Sequence, residues 1–365
     1  MKSDYYLLVL DVLSVVSLFA SIIMFFYPSE QKKMFLTYKR SRYIGGVIFL
    51  LYATLCYVHS NFGLRNFNNL HASAFSLSIY YLSGTLFGYS LIPLLKKEYF
   101  NRRRIIFDSV RVLFFAGLIA GVFLLDEPYS KIVLALSAVY FFTDMMRVST
   151  VFVKSYRMCV ADIDNYYSEY HVKNYVDWMS KLSIFVIVYG LSFTFVVYTN
   201  TYFIGAFSFI GIFLMAYIVV SFNNYLINVE KIDLSKDDGG TENGDKITTG
   251  VDSLVYAEIG DKLQEWIDQK RFLNEGVTIV MLCADLNTNR TYLSYYINNT
   301  YNCSFRNFIS ELRVAEAKRL LQEDISKDIE EIAQLAGFSS TSNFYRSFKL
   351  FENQTPVAYR NALGL

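Results

Sequence analysis

DIEEIAQLAGFSSTSNFYRSFKLFENQTPVAYR, residues 328–360, is the stretch that decides the fold of the C-terminal region. Asp328 and Glu331 have the spacing of a capping box, which predicts that a short helix begins here. Gly337 follows the last apolar residues of that helix, where a left-handed backbone conformation ends many helices. The first part of the stretch therefore predicts a short helix followed by a tight turn.

A second helix is predicted directly after this turn. Ser340 or Thr341 can cap its N-terminus, and Asn353 ends it. Thr355 and Pro356 predict the start of a third helix, with proline at its first position. A short helix, a tight turn and a second helix form helix-turn-helix geometry, in which the second helix can enter the major groove of DNA.

The same pattern occurs a second time, 51 residues upstream. Thr278 can cap a short helix, a turn follows at 287–289, and a second helix is predicted from about residue 291 to 300. The residues that correspond at this offset are Leu293 with Phe344, Ile297 with Phe348, Asn302 with Asn353, and Phe308 with Tyr359. A longer helix over about 305–322 connects the halves. Residues 258–365 are thus predicted to form an all-α domain of seven helices that contains two helix-turn-helix motifs.

Several short motifs of this region, taken together, are typical of one protein family. In the second half they are Gly337-Phe338-Ser339-Ser340, Phe344, Phe348, Thr355-Pro356 and Tyr359-Arg360. On the connecting helix they are Leu312-Arg313-Val314, Ala317 and Leu320-Leu321. Over roughly residues 260–363 the chain resembles AraC/XylS-type transcription regulators. It departs from them at Asn302 and Asn353, where the family commonly has glycine, although asparagine also tolerates the left-handed conformation.

The outward faces of the two second helices are the predicted DNA-reading surface, because Leu293, Ile297, Phe344 and Phe348 face the core. The polar residues left outward are Thr291, Ser294, Tyr295, Asn298, Ser342, Tyr345, Arg346 and Lys349.

Within this surface, Arg346 is predicted to contact guanine through two hydrogen bonds. The family resemblance implies base contacts for Ser294 and Tyr295. The predicted phosphate contacts, which position the protein without reading sequence, are Arg290, Arg306 and Lys349. For Ser342 and Asn298, an ordinary solvated helix face is an equally good interpretation.

The first 227 residues are strongly apolar, and the whole chain is 53% hydrophobic with a mean hydropathy of +0.28. Most of the apolar stretches reach the roughly 20 residues that a helix needs to cross a bilayer. Seven such stretches lie at about 5–27, 43–58, 72–95, 105–125, 132–153, 182–198 and 202–222. Residues 1–227 are therefore predicted to form a seven-helix transmembrane bundle.

The loops of this bundle predict its orientation. The first, third and fifth loops are rich in lysine and arginine, whereas the loops between them carry few basic residues. The positive-inside rule then places the N-terminus outside and the C-terminal domain in the cytoplasm of a bacterial cell, with the bundle in the inner membrane. Acidic residues dilute the positive charge of the fifth loop.

Two pairs of opposite charges lie inside the predicted spans: Asp108 with Arg111, and Asp144 with Arg147. Each pair is three residues apart and can meet on one helix face. They can form a ligand pocket or relay, or they can lie near span ends and hold helices together. The second interpretation is the simpler one.

Residues 228–257 form a predicted flexible linker, since they are acidic, rich in glycine and have little to bury. The net charge changes from +7 over 1–227 to −4 over the linker and −2 over 258–365. DNA-binding modules are usually basic. In this one the acidic residues cluster at 258–275 and 323–331, away from the predicted reading surface.

No cofactor, metal site or enzyme is predicted. The four cysteines show no paired spacing, the three histidines are scattered, and no catalytic dyad stands out. The chain is predicted to be a membrane-embedded, sequence-specific transcription regulator that binds double-stranded promoter DNA and acts with RNA polymerase. The alternative is a multispan receptor or transporter whose C-terminal domain binds a protein partner. The sequence leaves open the signal, the operator, activation or repression, and whether the chain forms a homodimer.

Overall fold

A computed structural model describes residues 2–28, 36–62, 69–96, 99–168, 176–186, 201–232, 253–323 and 327–363. These ranges are helical with connecting turns and contain no strand; an isolated antiparallel bridge joins Tyr167 to Thr278. The all-α class is therefore confirmed for this part of the chain. The chain divides into two compact units, Met1–Cys159 with Val176–Glu230, and Val160–Tyr175 with Lys231–Leu365.

The first unit consists of long helices. They are α1 (Lys2–Phe26), α2 (Leu36–Asn61), α3 (Asn69–Leu95), α4 (Arg102–Leu124), α5 (Tyr129–Tyr166, whose last turns belong to the second unit) and α6 (Thr201–Ile232), with a further helical stretch at 176–186. Helix α1 packs on α2 partly through serine hydroxyls: Ser14 Oγ donates to Ala53 O over 3.0 Å, and Ser21 Oγ donates to Gly46 O over 2.8 Å. These bonds satisfy the hydroxyls inside an apolar interface.

Four of the described helices are long and apolar enough to cross a membrane: α1 from Leu7, α2, α4 and α5. Helix α3 covers the predicted third span but is not among these four helices. Helix α6 contains a shorter apolar part, Ile210–Tyr225, and most of the predicted sixth span lies outside the described residues. The seven-span count therefore remains a prediction.

Helix α5 is longer than the predicted fifth span, which ended at residue 153. Its 38 residues continue without interruption to Tyr166. At about 1.5 Å per residue such a helix is roughly 57 Å long, almost twice the thickness of the hydrocarbon core. The residues after 153, expected to form a loop, are thus helical for several more turns.

The charges predicted inside the spans form one network between α4 and α5. Arg147 Nη2 lies 2.8 Å from Asp108 Oδ1 on the other helix, and its Nε lies 2.9 Å from Asp144 Oδ1. Arg111 pairs with Asp144 across the helices and with Asp108 within α4. The pairs thus connect neighbouring helices, which supports the interpretation that they hold the bundle together.

Two tyrosines of α3 complete this network. Tyr81 OH donates to Asp144 Oδ2 over 2.9 Å, and Tyr89 OH donates to Asp108 Oδ2 over 2.8 Å. Both carboxylates are buried, so each needs several donors to offset its lost hydration. Three helices are therefore joined through two carboxylates.

The second unit contains seven α-helices within the described part of 253–363, the number predicted. They are α7 (Ser253–Asp268), α8 (Ile279–Leu286), α9 (Arg290–Thr300), α10 (Phe305–Glu323), α11 (Ile329–Leu335), α12 (Thr341–Glu352) and α13 (Pro356–Ala362). A single 3-10 turn, Arg271–Leu273, follows α7. Both ends of the predicted linker are helical, because α6 continues to Ile232 and α7 begins at Ser253; residues 233–252 lie outside the described residues.

Two hydrophobic cores share helix α10. The first core uses its N-terminal turns, with Phe305, Phe308 and Ile309, and includes residues of α7, α8 and α9. The second core uses Val314 and later residues of α10 and includes residues of α11 and α12. Each half of the duplicated pattern therefore has its own core, and one helix belongs to both.

The segment 270–274 connects the two halves beside α10. The buried Arg313 of α10 donates from Nε to Phe272 O over 2.9 Å and from Nη2 to Asn274 O over 2.7 Å. Lys270 Nζ lies 2.9 Å from the Glu316 carboxylate on the same helix. The Arg313 guanidinium thus ties two backbone carbonyl groups of this segment to α10.

Candidate nucleic-acid interface

The first helix-turn-helix consists of α8 and α9. Thr278 Oγ1 accepts a hydrogen bond from Met281 N at 3.3 Å, as predicted for its cap. Asn287 ends α8 in the left-handed conformation, with φ 52°. Asn289 then caps α9 by accepting from Tyr292 N at 2.9 Å, so the second helix begins at Arg290, one residue before its predicted start. The two caps enclose a turn of only a few residues.

The second helix-turn-helix, α11 and α12, repeats this construction. Asp328 caps α11, although its carboxylate accepts from Ile329 N instead of completing the reciprocal box with Glu331. Gly337 has φ +80°, the left-handed conformation predicted for it. Ser340, the first of the two candidates, caps α12 and accepts from Asn343 N.

The asparagines that replace the usual glycines behave alike in both halves. Asn302 has φ 50° and Asn353 has φ 56°, so both adopt the left-handed conformation. Both stand at the end of a second helix, and a polar-capped helix follows each turn. The duplication seen in the sequence is therefore also a duplication of backbone geometry.

Helix α9 has one apolar and one polar face. Leu293 and Ile297 are fully buried, as predicted. Thr291, Tyr295 and Asn298 are exposed and Ser294 is half-buried. The polar face is continuous over two turns, because these residues are three or four positions apart.

One residue of this face, Tyr295, also has a neighbour in α7. Its ring lies 6.0 Å from that of Tyr256, in an edge-to-face arrangement. Burial raises the pKa of the Tyr256 phenol, and the nearby Tyr295 raises it further. The Tyr256 phenol therefore remains neutral at physiological pH.

Helix α12 presents the corresponding face in the second half. Phe344 and Phe348 are fully buried, and Ser342, Arg346 and Lys349 are exposed. Tyr345 is half-buried and packs against the second core, so only part of its side chain is accessible. The face carries two cations and two hydroxyl groups, with no acidic residue among these four side chains.

Arg306, predicted to bind a phosphate, does not lie on an exposed surface. Its side chain is buried and forms an ion pair with Asp164, from the segment that ends α5. Arg290 is half-exposed, and its guanidinium lies over the ring of Tyr166, 5.0 Å from the centroid. In this arrangement the Arg306 guanidinium is not accessible to DNA, because it is already paired with an acidic side chain.

The segment 164–168 is the part of this surface that the sequence reasoning missed. Ser168 Oγ donates to Val277 O over 2.7 Å, directly before the cap of α8. The sequence contained one indication of it: the fifth loop carries acidic residues among its basic ones, and Asp164 is one of them. The charges of that loop were used only to predict the orientation of the helices, so no partner was predicted for its acidic residues.

Comparison with known proteins agrees with this geometry. A family profile described as a helix-turn-helix domain matches residues 282–362. The probable transcription factor PqrA of Proteus vulgaris is 31% identical over 97 residues, 26% of this chain and 78% of PqrA. The raffinose operon transcriptional regulatory protein RafR of Pediococcus pentosaceus is 30% identical over 90 residues, 25% of this chain. The porin thermoregulatory protein EnvY of Escherichia coli K12 is 41% identical over 58 residues, 16% of this chain.

The second unit thus places the chain among the helix-turn-helix proteins. The chain belongs to the AraC family of transcription regulators, through this C-terminal region. It spans only 32% of the length of RafR and 22% of that of EnvY. No solved structure matches the chain significantly.

Proposed function

We propose that the protein is a bacterial, membrane-embedded transcription regulator that recognises promoter DNA through α9 and α12. The observation that carries this proposal is the duplicated geometry, with two capped second helices whose outward faces are polar. Each of these faces has the donors and acceptors that read base edges in a major groove. Two such helices can enter successive major grooves about 34 Å apart on one side of the duplex.

The side chains on these faces have distinct proposed roles. Arg346 reads guanine, and Ser294 and Tyr295 contact bases in the other half-site. Lys349 and Arg290 bind phosphates and fix the register of the protein on the duplex. Thr291, Ser342 and Tyr345 line the same faces and contribute shorter polar contacts.

The first unit is proposed to embed the protein in the cytoplasmic membrane. Support comes from the four described helices that are long and apolar enough to span a bilayer. The alternation of basic loops favours an external N-terminus and a cytoplasmic C-terminal region, where chromosomal DNA is accessible. The membrane part then senses a small-molecule or envelope signal, or restricts the regulator to the inner membrane.

RNA polymerase is the proposed protein partner, since promoter-bound regulators act on it. A second copy of the chain is a further partner to be tested. The second unit has little positive charge for non-specific attraction to DNA, so pairing two copies on adjacent sites would raise affinity.

The test is to map the genomic sites bound by the intact protein in cells, with and without substitutions on α12. The proposal expects a limited set of promoter sites that share a sequence motif and that Arg346→Ala redistributes. Reporter fusions to the C-terminus should be active in the cytoplasm and inactive in the periplasm.

The rival function is a receptor or transporter whose C-terminal unit binds a protein. It predicts no promoter enrichment for the intact chain, and co-purification with a protein partner that survives nuclease treatment. A periplasmic C-terminus would exclude chromosomal DNA as the ligand and would overturn the proposed regulator.

A further inference from the structure

The end of α5 and the residues after it form a segment that docks on the first helix-turn-helix. We define this docking segment as residues 162–168. Its last residue, Ser168, donates to Val277 O from both Oγ, over 2.7 Å, and its backbone N, over 3.3 Å. Tyr167 forms an antiparallel bridge with Thr278, the residue that caps α8. The segment is thus attached to the backbone where the helix-turn-helix begins.

The docking segment also contacts two of the three cationic side chains that were predicted to bind DNA phosphates. Asp164 forms an ion pair with Arg306, which is only 2% exposed. The Tyr166 ring covers the guanidinium of Arg290 at 5.0 Å, and Tyr166 itself packs against the first core. A carboxylate and an aromatic face are groups that commonly bind arginine in proteins.

Neither cation can serve its intramolecular partner and a phosphate fully at the same time. Residues 258–365 have a net charge of −2, so the domain has little long-range attraction for DNA that could replace these two contacts. Each phosphate neutralised by a cation contributes strongly to DNA affinity through counterion release. The docked segment therefore competes directly with the DNA backbone.

We propose that the docking segment inhibits DNA binding by the first helix-turn-helix, and that its release from Arg306 and Arg290 switches the protein to a DNA-binding state. This inference rests on the proposed function. Because the segment is the end of the long helix α5, a rotation or shift of that helix would withdraw Asp164 from Arg306. The occupant of the site is thus part of the chain, and its displacement is the switching step.

The first experiment measures the affinity of the full-length protein, in lipid nanodiscs, for a promoter fragment taken from its mapped sites. Asp164→Asn removes the charge that holds Arg306. We expect it to tighten binding about tenfold and to increase the salt slope by about 1 for each phosphate contact regained. Asp261→Asn, an exposed residue of α7, makes the same change in charge and should leave affinity unchanged.

A second substitution separates release of Arg306 from a general effect of charge. In the Asp164→Asn protein, Arg306→Gln should abolish the gain in affinity and restore the original salt slope. A gain that survives Arg306→Gln contradicts the proposal, as does unchanged or weaker binding by Asp164→Asn alone.

An engineered disulfide that holds the docking segment in place tests the same inference if Asp164→Asn disturbs folding. Tyr167 and Thr278 are opposite each other in the antiparallel bridge, where β-carbons lie about 4.5–5.5 Å apart, close to disulfide geometry. Tyr167→Cys combined with Thr278→Cys should bind the promoter at least tenfold more weakly when oxidised, and reductant should restore binding. Each single cysteine variant serves as the control under the same oxidant.

The outcomes separate this inference from the proposed function. If no variant, including the unmodified protein, binds the mapped promoter, then the proposed function fails. If the unmodified protein binds and the oxidised double-cysteine variant binds equally well, then the segment is a structural brace and the inhibitory role fails.

Discussion

Gly337 lies against the backbone of Leu273: a methyl group at residue 337 would stand 2.8 Å from the Leu273 carbonyl carbon and closer still to its oxygen. The glycine ends α11 in the second half of the domain, and Leu273 ends the 3-10 turn of the first half. The absence of a side chain at residue 337 therefore permits the two halves to approach. This contact complements the two hydrogen bonds that Arg313 donates to Phe272 O and Asn274 O.

Gly337→Ala is expected to destabilise the second unit by about 3 kcal/mol. A left-handed backbone costs an alanine about 1–2 kcal/mol, and an overpacked contact costs about 1–3 kcal/mol. Gly276→Ala is the matched control, because Gly276 also has a positive φ, of 69°, but nothing lies within 4 Å of an added methyl group. Hydrogen exchange of α11–α13 amides in the full-length protein measures the difference. Equal loss of protection in the two variants would mean that the Leu273 contact is unimportant.

Arg346→Ala is expected to weaken promoter binding by about 1–3 kcal/mol and to relax the preference for one base pair. Lys349→Ala on the same helix should weaken binding to all sequences alike and lower the salt slope by about 1. Affinities of the intact protein for the promoter and for variants mutated at each base pair measure both effects. An unaltered footprint for Arg346→Ala would remove the proposed guanine contact.

Low pH is expected to weaken the contact between α10 and the segment 270–274, because the Glu316 carboxylate that forms it becomes protonated. Hydrogen bonds from Arg319 and the ion pair with Lys270 lower the pKa of the Glu316 carboxyl, although burial partly opposes them. A lowered folded-state pKa means that the stabilisation is fully present above the unfolded value of 4.5 and is lost as pH falls through the folded value.

This pH dependence can be measured from the unfolding midpoint of the second unit between neutral and acidic pH. Glu316→Gln should lower stability at pH 7 and reduce its further loss on acidification. Glu311→Gln changes an exposed carboxylate of the same helix and should follow the unmodified protein. A parallel pH profile for Glu316→Gln would contradict the assignment.

Asp144→Asn is expected to destabilise the first unit by about 1.5–3 kcal/mol, because it leaves Asp108 as the one carboxylate of this network that still pairs with the partly buried Arg111 and Arg147. Asp144 binds Arg147 and Arg111 and accepts from Tyr81. The exposed pair Glu127–Lys131 provides the control, and Glu127→Gln should change stability by less than about 1 kcal/mol. Thermal unfolding in detergent compares the two, and equal midpoints would show that the network contributes little.

Local signals in the sequence predicted most of the second unit. The caps at Thr278, Ser340 and Thr355 and the left-handed residues at helix ends depend on neighbours within a few positions. Apolar spacing likewise identified the buried face of each second helix. The capping box at Asp328 was only half correct, since side-chain direction decides which backbone amide the carboxylate meets.

The first unit was predicted less completely. Hydropathy found the helical regions but not the point at which α5 ends, since a helix can continue past its apolar stretch into polar sequence. The spacing of three residues predicted the Asp108–Arg111 and Asp144–Arg147 pairs within helices, whereas the structure also joins these residues across helices. Spacing along one helix gives no information about the charges of a neighbouring helix.

By itself, the sequence determined that the C-terminal region contains two helix-turn-helix units and which faces of their second helices are apolar. Those properties follow from hydrogen bonds and periodicity over three or four residues. Only the tertiary structure decided that Asp164 pairs with Arg306 and that Leu273 meets Gly337. Such partners are far apart along the chain, and their meeting depends on how the cores pack, which no local spacing encodes.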